Sequence, residues 1–118
     1  MALGNEFIIK QHDTLPVIQA KLYGKGNLGQ RECLNLGNAS TVVFSMIDNC
    51  GDYAIMKEPA QISNHTGGTI QYDWKDGETS EEGTYKGEFE ITFSNGSKMS
   101  VPQIGGIPIR IIKDINPY

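Results

Sequence analysis

The sequence predicts an all-β domain, an antiparallel sandwich of about eight short strands. Three observations carry this expectation. Apolar residues recur with period two almost throughout, turn-forming residues interrupt that pattern at short intervals, and no segment keeps the three-and-four apolar spacing of an amphipathic helix. A chain of 118 residues has the length of one domain, expected to span 1–118 and to bury a core without metal or disulfide support. Residues 1–5 and 116–118 are expected to be loose tails, and the stretch Met1 to Glu6 is expected to be able to order on assembly.

The clearest strand is Thr69–Lys75, in which Ile70, Tyr72 and Trp74 share one face and Gln71, Asp73 and Lys75 the other. That alternation places Trp74 in the core. The longest strand runs from Tyr85 to Phe93, where Tyr85, Gly87, Phe89, Ile91 and Phe93 alternate with Lys86, Glu88, Glu90 and Thr92. Shorter signals predict strands over Phe7–Lys10, Val17–Tyr23, Thr41–Ile47, Tyr53–Met56, Met99–Val101 and Ile107–Lys113. Of these, Val17–Tyr23 points Ile18, Ala20 and Leu22 inward, and the last points Ile107, Ile109 and Ile111 inward.

Turn chemistry separates the strands at Gly24–Asn27, Asp48–Asp52, Asn64–Gly68, Asp76-Gly77 and Asn95-Gly96. Asn95 and Gly96 both tolerate positive φ, so a tight hairpin is expected between Phe93 and Met99. Pro102 and Pro108 fall near strand ends, where a missing N–H costs little, and Pro16 marks the crossing from a first edge strand into the second.

Composition narrows the partners. Ten Lys and Arg against fourteen Asp and Glu leave a net charge of -4, and the basic residues are scattered, so no stripe exists to neutralise phosphates and no nucleic acid is expected. No run approaches a membrane span, and the N-terminus lacks a basic region followed by an apolar stretch; no membrane partner and no export are expected. Cys33, in a polar stretch expected to loop, and Cys50, in a turn, are expected to be free thiols.

The motifs that could carry chemistry are weak. Gly24–Gly29 has the spacing of a dinucleotide-binding loop, but residues 30–37 are too short and too broken by glycine to form the required helix. His12 beside Asp13 suggests a carboxylate orienting an imidazole, yet neighbours on an extended segment point to opposite sides and nothing marks a nucleophile. His65 sits in a Gly-rich loop, and two isolated histidines make no zinc site. Asp73, Asp76, Glu78, Glu81 and Glu82 concentrate negative charge without the spacing of a calcium loop, and a solvated acidic loop is expected. The sequons at Asn38, Asn64 and Asn95 carry little weight without an export signal. No catalytic residues, metal ligands or cofactors are therefore expected, and the chain is expected not to be an enzyme.

Glu82-Gly83-Thr84-Tyr85-Lys86-Gly87 resembles the turn entering strand F of an immunoglobulin sandwich, where a tyrosine two residues before the usual cysteine bonds back to the corner backbone. Gly87 holds the cysteine position. The sandwich is accordingly expected to be immunoglobulin-like, with Trp74, Tyr85, Gly83, Asn95 and Gly96 as structural anchors.

Three segments in order extend the resemblance: Phe7–Pro16, then Tyr72-Asp73-Trp74 with Gly77-Glu78-Thr79, then Gly83–Phe93. Together they resemble the N-terminal immunoglobulin-like domain of phage baseplate upper proteins, and Ile107–Ile112 is similar to that domain's last strand. The resemblance implies a bacteriophage virion structural protein, a protein-binding module of the tail or baseplate. Its partners would be other virion proteins in many symmetry-related copies, and it would be made in the host cytoplasm, localise to the virion and be compatible with a monomeric free state. In that family the domain docks a longer protein onto the tail tip hub. This chain ends at Tyr118, which keeps capsid decoration and neck or fibre attachment open as alternatives. An alternative of another class is a carbohydrate-binding module with Trp74, Tyr72 or Tyr53 as its stacking platform; a small hydrolase ranks below both for want of a nucleophile, base and orienter.

Overall fold

A computed structural model describes residues 6–25 and 28–116. Every regular element among them is a strand: β1 Phe7–Lys10, β2 Ile18–Lys21, β3 Tyr23–Lys25, β4 Arg31–Cys33, β5 Ala39–Asp48, β6 Tyr53–Pro59, β7 Gln61–Asn64, β8 Thr69–Tyr72, β9 Gly83–Phe93, β10 Lys98–Val101 and β11 Ile107–Ile112. The fold is all-β and sandwich-like.

The larger sheet has the order β1-β11-β9-β5-β6. Its centre is β9, long enough to hold two partners along one side: β10 pairs with its second half, Phe89 to Thr92, and β11 with its first half, Gly83 to Gly87. On its other side β9 pairs antiparallel with β5, and β6 closes that edge. At the opposite edge β1 runs parallel to β11, Phe7 beside Ile109 and Lys10 beside Ile112. The smaller sheet is β2-β8-β7, and β3-β4 form a separate two-stranded ribbon.

Alternation makes the two sheets adhere. Val42, Phe44 and Met46 of β5, Tyr85, Phe89 and Ile91 of β9, and Ile109 and Ile111 of β11 are buried, and they cluster with Ile18, Ile70 and Tyr72 of the smaller sheet. At the middle, the Phe44 ring stacks on Tyr72 with centroids 4.7 Å apart, tilts against Phe89 at 5.0 Å and meets Trp74 edge-on at 6.0 Å. Each large apolar side chain buried in this way contributes about 1.5–3 kcal/mol, and the aromatic pairs add about 0.5–1.5 kcal/mol beyond that.

Eleven strands among the described residues replace the eight expected, for identifiable reasons. The predicted strand Val17–Tyr23 breaks at Leu22, whose N–H donates to Gly68 O at 2.8 Å and whose carbonyl accepts from Leu34 N–H at 3.0 Å, so that β3 turns away as a ribbon. Cys33 belongs to β4 and not to a loop; Arg31, Glu32 and Cys33 are all exposed, so this strand has no buried face to print a period in the sequence. β7 went unseen for a similar reason, since only Ile62 among its four residues is partly buried. β8 stops at Tyr72, yet Trp74 stays buried beyond it because its indole N–H donates to Pro16 O at 3.1 Å. β6 runs past Met56 to Pro59 with irregular register against β5, and Lys57 sits there at φ 48°.

The Asn95-Gly96 hairpin also differs in detail. Gly96 alone takes positive φ, 89°, while its N–H donates to Phe93 O at 2.9 Å; Asn95 instead accepts from Ser97 N–H through Oδ1 at 2.9 Å. One glycine in the left-handed region thus suffices for the turn. Of the expected loose tails, 1–5 and 117–118 lie outside the described residues, while Asn116 N–H donates to Asp114 Oδ1 at 3.1 Å.

Candidate functional site

The pleat that sends Phe44 and Met46 into the core sends Val43, Ser45 and Ile47 to the opposite, outward face. β9 does the same with Lys86, Glu88 and Glu90, and the antiparallel register sets Val43 beside Glu90, Ser45 beside Glu88 and Ile47 beside Lys86. Tyr53 and Lys57 of β6 form one wall over this floor. The other wall is the connection from β10 to β11, which leaves β9 beside Phe89 and returns beside Gly87, so its intervening residues must loop outward. Gly105 and Gly106 line the groove there, and the approach is close: a Cβ on Gly106 would stand 2.9 Å from Lys86 Cβ.

The result is an open groove of about 210 Å³. Its wall is tied to its floor by Lys57 N–H, which donates to Ser45 Oγ at 2.9 Å, while Lys57 Nζ pairs loosely with Glu90 at 3.9 Å. Lys86 and Glu88 are exposed and form no ion pair among the described residues. Mixed charge on a partly apolar floor suits binding. The hydroxyl in the floor, Ser45, is occupied as an acceptor and has no histidine beside it in the groove lining.

A second depression is lined by Asp48, Tyr53, Glu78, Glu81 and Tyr85. Two of its side chains, Glu78 and Tyr85, are already hydrogen-bonded. Tyr85 donates its hydroxyl proton to Glu81 O at 2.9 Å, back across the turn that enters β9. Tyr72 donates to the Glu78 carboxylate at 2.7 Å, and the same carboxylate accepts Lys75 N–H at 2.7 Å. Burial first, and then the Glu78 carboxylate, push the Tyr72 phenol above the ordinary tyrosine range; burial, Glu81 and Asp48 raise Tyr85 in the same direction. Both hydroxyls therefore remain protonated donors. Lys75 is raised as well, chiefly by its 2.6 Å hydrogen bond to Glu58.

The residues singled out in the sequence do not converge on one point. Trp74 and Tyr85 are in the core, Gly83 opens β9 where a Cβ would stand 3.4 Å from the Tyr85 ring, and Asn95 and Gly96 lie in the hairpin beyond the opposite end of β9. His12, at φ 69°, donates its N–H to Thr79 O at 3.1 Å, and the Asp13 N–H donates to Lys10 O at 3.2 Å, so the pair forms a turn. Asp73 accepts from Gln61 and Gln71 on the outer side of the smaller sheet. Among the described residues no three His, Cys, Asp or Glu side chains are grouped to hold a metal, and Cys33 and Cys50 are exposed free thiols. No helix among those residues is long and apolar enough to cross a membrane.

Sequence reasoning missed the groove, although a signal was present. From Val42 to Ile47 the chain reads Val, Val, Phe, Ser, Met, Ile, apolar on both faces where a strand with one solvated face would alternate.

No family model and no curated protein matches the chain. Among solved structures, the crystal structure of CopC from Methylosinus trichosporium OB3b is similar over 98% of this chain and 91% of that one, with a TM-score of 0.54 and 12% sequence identity. At that identity the likeness is one of fold. It overturns the expectation of a bacteriophage virion module, together with its capsid and fibre variants: nearly the whole chain shares its fold with CopC, and that fold is no mark of virion assembly. The carbohydrate platform fails separately. Tyr72 and Trp74 are 0% and 4% exposed, which leaves Tyr53 as the one exposed ring of the three proposed.

Proposed function

We propose that the chain is a non-catalytic binding module, a single immunoglobulin-like domain that contacts its ligand through the outward groove of the larger sheet. The observation that carries this reading is the two-sided apolar character of β5: Phe44 and Met46 serve the core, while Val43 and Ile47 line an open groove. A concave, partly apolar surface with a few charged groups is where a ligand gains most from leaving water. The immunoglobulin-like description rests on the Tyr85-to-Glu81 bond at the start of β9 and on the parallel pairing of β1 with β11. The absence of catalysis rests on the groove's own chemistry, in which Ser45 accepts a backbone N–H and Lys57 faces Glu90.

Selection of a displayed random heptapeptide library against the protein tests this reading. Glu88→Trp fills the groove from an exposed position without entering the core. Peptides enriched on the wild type are expected to lose binding to that variant while its thermal unfolding is unchanged. Enriched peptides that bind both proteins alike, or a library that yields no binders, would sink the proposal.

A further inference from the structure

We infer that the groove's ligand is an extended peptide segment of a partner protein, with an acidic and a basic side chain two residues apart. This rests on the groove reading and deepens it. Lys86 and Glu88 point outward from the same strand, two residues apart, and neither forms an ion pair among the described residues, whereas Lys57 and Glu90 at the groove's end face each other. Two residues along a strand span about 6.8 Å, which is also the distance between same-side side chains of an extended peptide laid along it.

Such a peptide sets its acidic side chain on Lys86 and its basic side chain on Glu88 at the same time, and its next same-side residue beyond Glu88 comes level with Glu90 and its strand neighbour Val43. The length also fits. From Val43 to Ile47 the floor covers four residue steps of β5, about 13 Å, enough for four or five extended residues and too long for a single amino acid. Tyr53 and Ile104, 58% and 90% exposed, add apolar side chains at the wall of the groove and in the connection that forms the opposite wall.

The heptapeptides enriched in the selection above provide the test. They are expected to show an acidic and a basic residue at positions i and i+2, in either order because the segment can run in either direction. Lys86→Glu is expected to lower their affinity about tenfold, the effect of replacing one attraction by a like-charge repulsion. The double variant Lys86→Glu with Glu88→Lys is expected to recover most of that loss, since it restores the same pair in reverse order. Peptides that depend on the groove yet lack the charge pair would overturn this inference and leave the binding surface standing. Peptides indifferent to Glu88→Trp would overturn both.

Discussion

Replacing Gly87 with alanine tests how tightly the centre of the sandwich is closed. A Cβ at this position would lie 2.8 Å from Ile109 Cδ1, 2.8 Å from Phe44 Cζ and 2.9 Å from Phe44 Cε1, closer than side chains approach. Ile109 can move its terminal methyl, but the Phe44 ring is held by Tyr72 and Phe89 with centroids 4.7 and 5.0 Å away, so relief requires several aromatic rings to shift together. Overpacking of this kind costs about 1–3 kcal/mol, and alanine recovers about 0.4–1 kcal/mol by restricting the unfolded chain. The net expectation is a loss of about 1–2 kcal/mol, read as a fall in melting temperature of about 4–8 °C. Trp74, the one tryptophan of the chain and buried beside Phe44, reports the transition by fluorescence in a urea titration. The midpoint should fall with the slope unchanged. Adding Phe44→Leu to Gly87→Ala should cost less than the two single losses combined, because the smaller side chain vacates the contested space. Unchanged or increased stability of Gly87→Ala would refute the packing argument.

The remaining expectations concern the tyrosines. The Tyr72 phenol is raised in the folded state, so above the ordinary tyrosine pKa of about 10 the native protein holds a proton that the unfolded chain releases, and stability is complete below that pH and falls as pH rises through it. Between pH 9 and 11 the wild type should lose more stability than Tyr72→Phe in urea unfolding, by on the order of 1 kcal/mol, and equal losses would exclude Tyr72 as the source. Tyr85→Phe removes the hydroxyl bonded to Glu81 O and should cost about 1 kcal/mol at neutral pH by thermal melting. The same variant should bind groove-selected peptides as the wild type does; weaker binding would place Tyr85 in the recognition surface.

How far the fold was legible follows from where each strand is buried. β1 coincides with its predicted limits, and β5, β9, β10 and β11 were located to within two residues, because β5, β9 and β11 bury alternate side chains in the core and that burial writes a period of two, while β10 sets Met99 and Val101 partly buried against it. β4 and β7 bury almost nothing, so their pairing rests on backbone hydrogen bonds that any polar sequence can make. The irregular pairing of β6 and the positive φ of Lys57 depend on Ser45, twelve residues away, and nothing local announces them. The groove is intermediate. Val43 and Ile47 were visible as extra apolar residues, but its walls come from β6 and from the β10–β11 connection, which meet β5 and β9 only after folding. The family resemblance failed as a guide to function for a related reason: it rested on strand pattern and turn chemistry, which unrelated all-β sandwiches share.

The parallel pairing of β1 with β11 has a mechanical consequence. Because the two strands run the same way, the backbone enters at Phe7 and leaves at Ile112 from opposite ends of the strand pair. A pull on residues 6 and 113 therefore slides one strand along the other, and the hydrogen bonds joining Phe7–Lys10 to Ile109–Ile112 are loaded in shear, all together. An antiparallel pair pulled from adjacent ends would open one bond at a time. This short edge strand thus acts as a latch: force applied along the chain meets its resistance before it reaches the aromatic core.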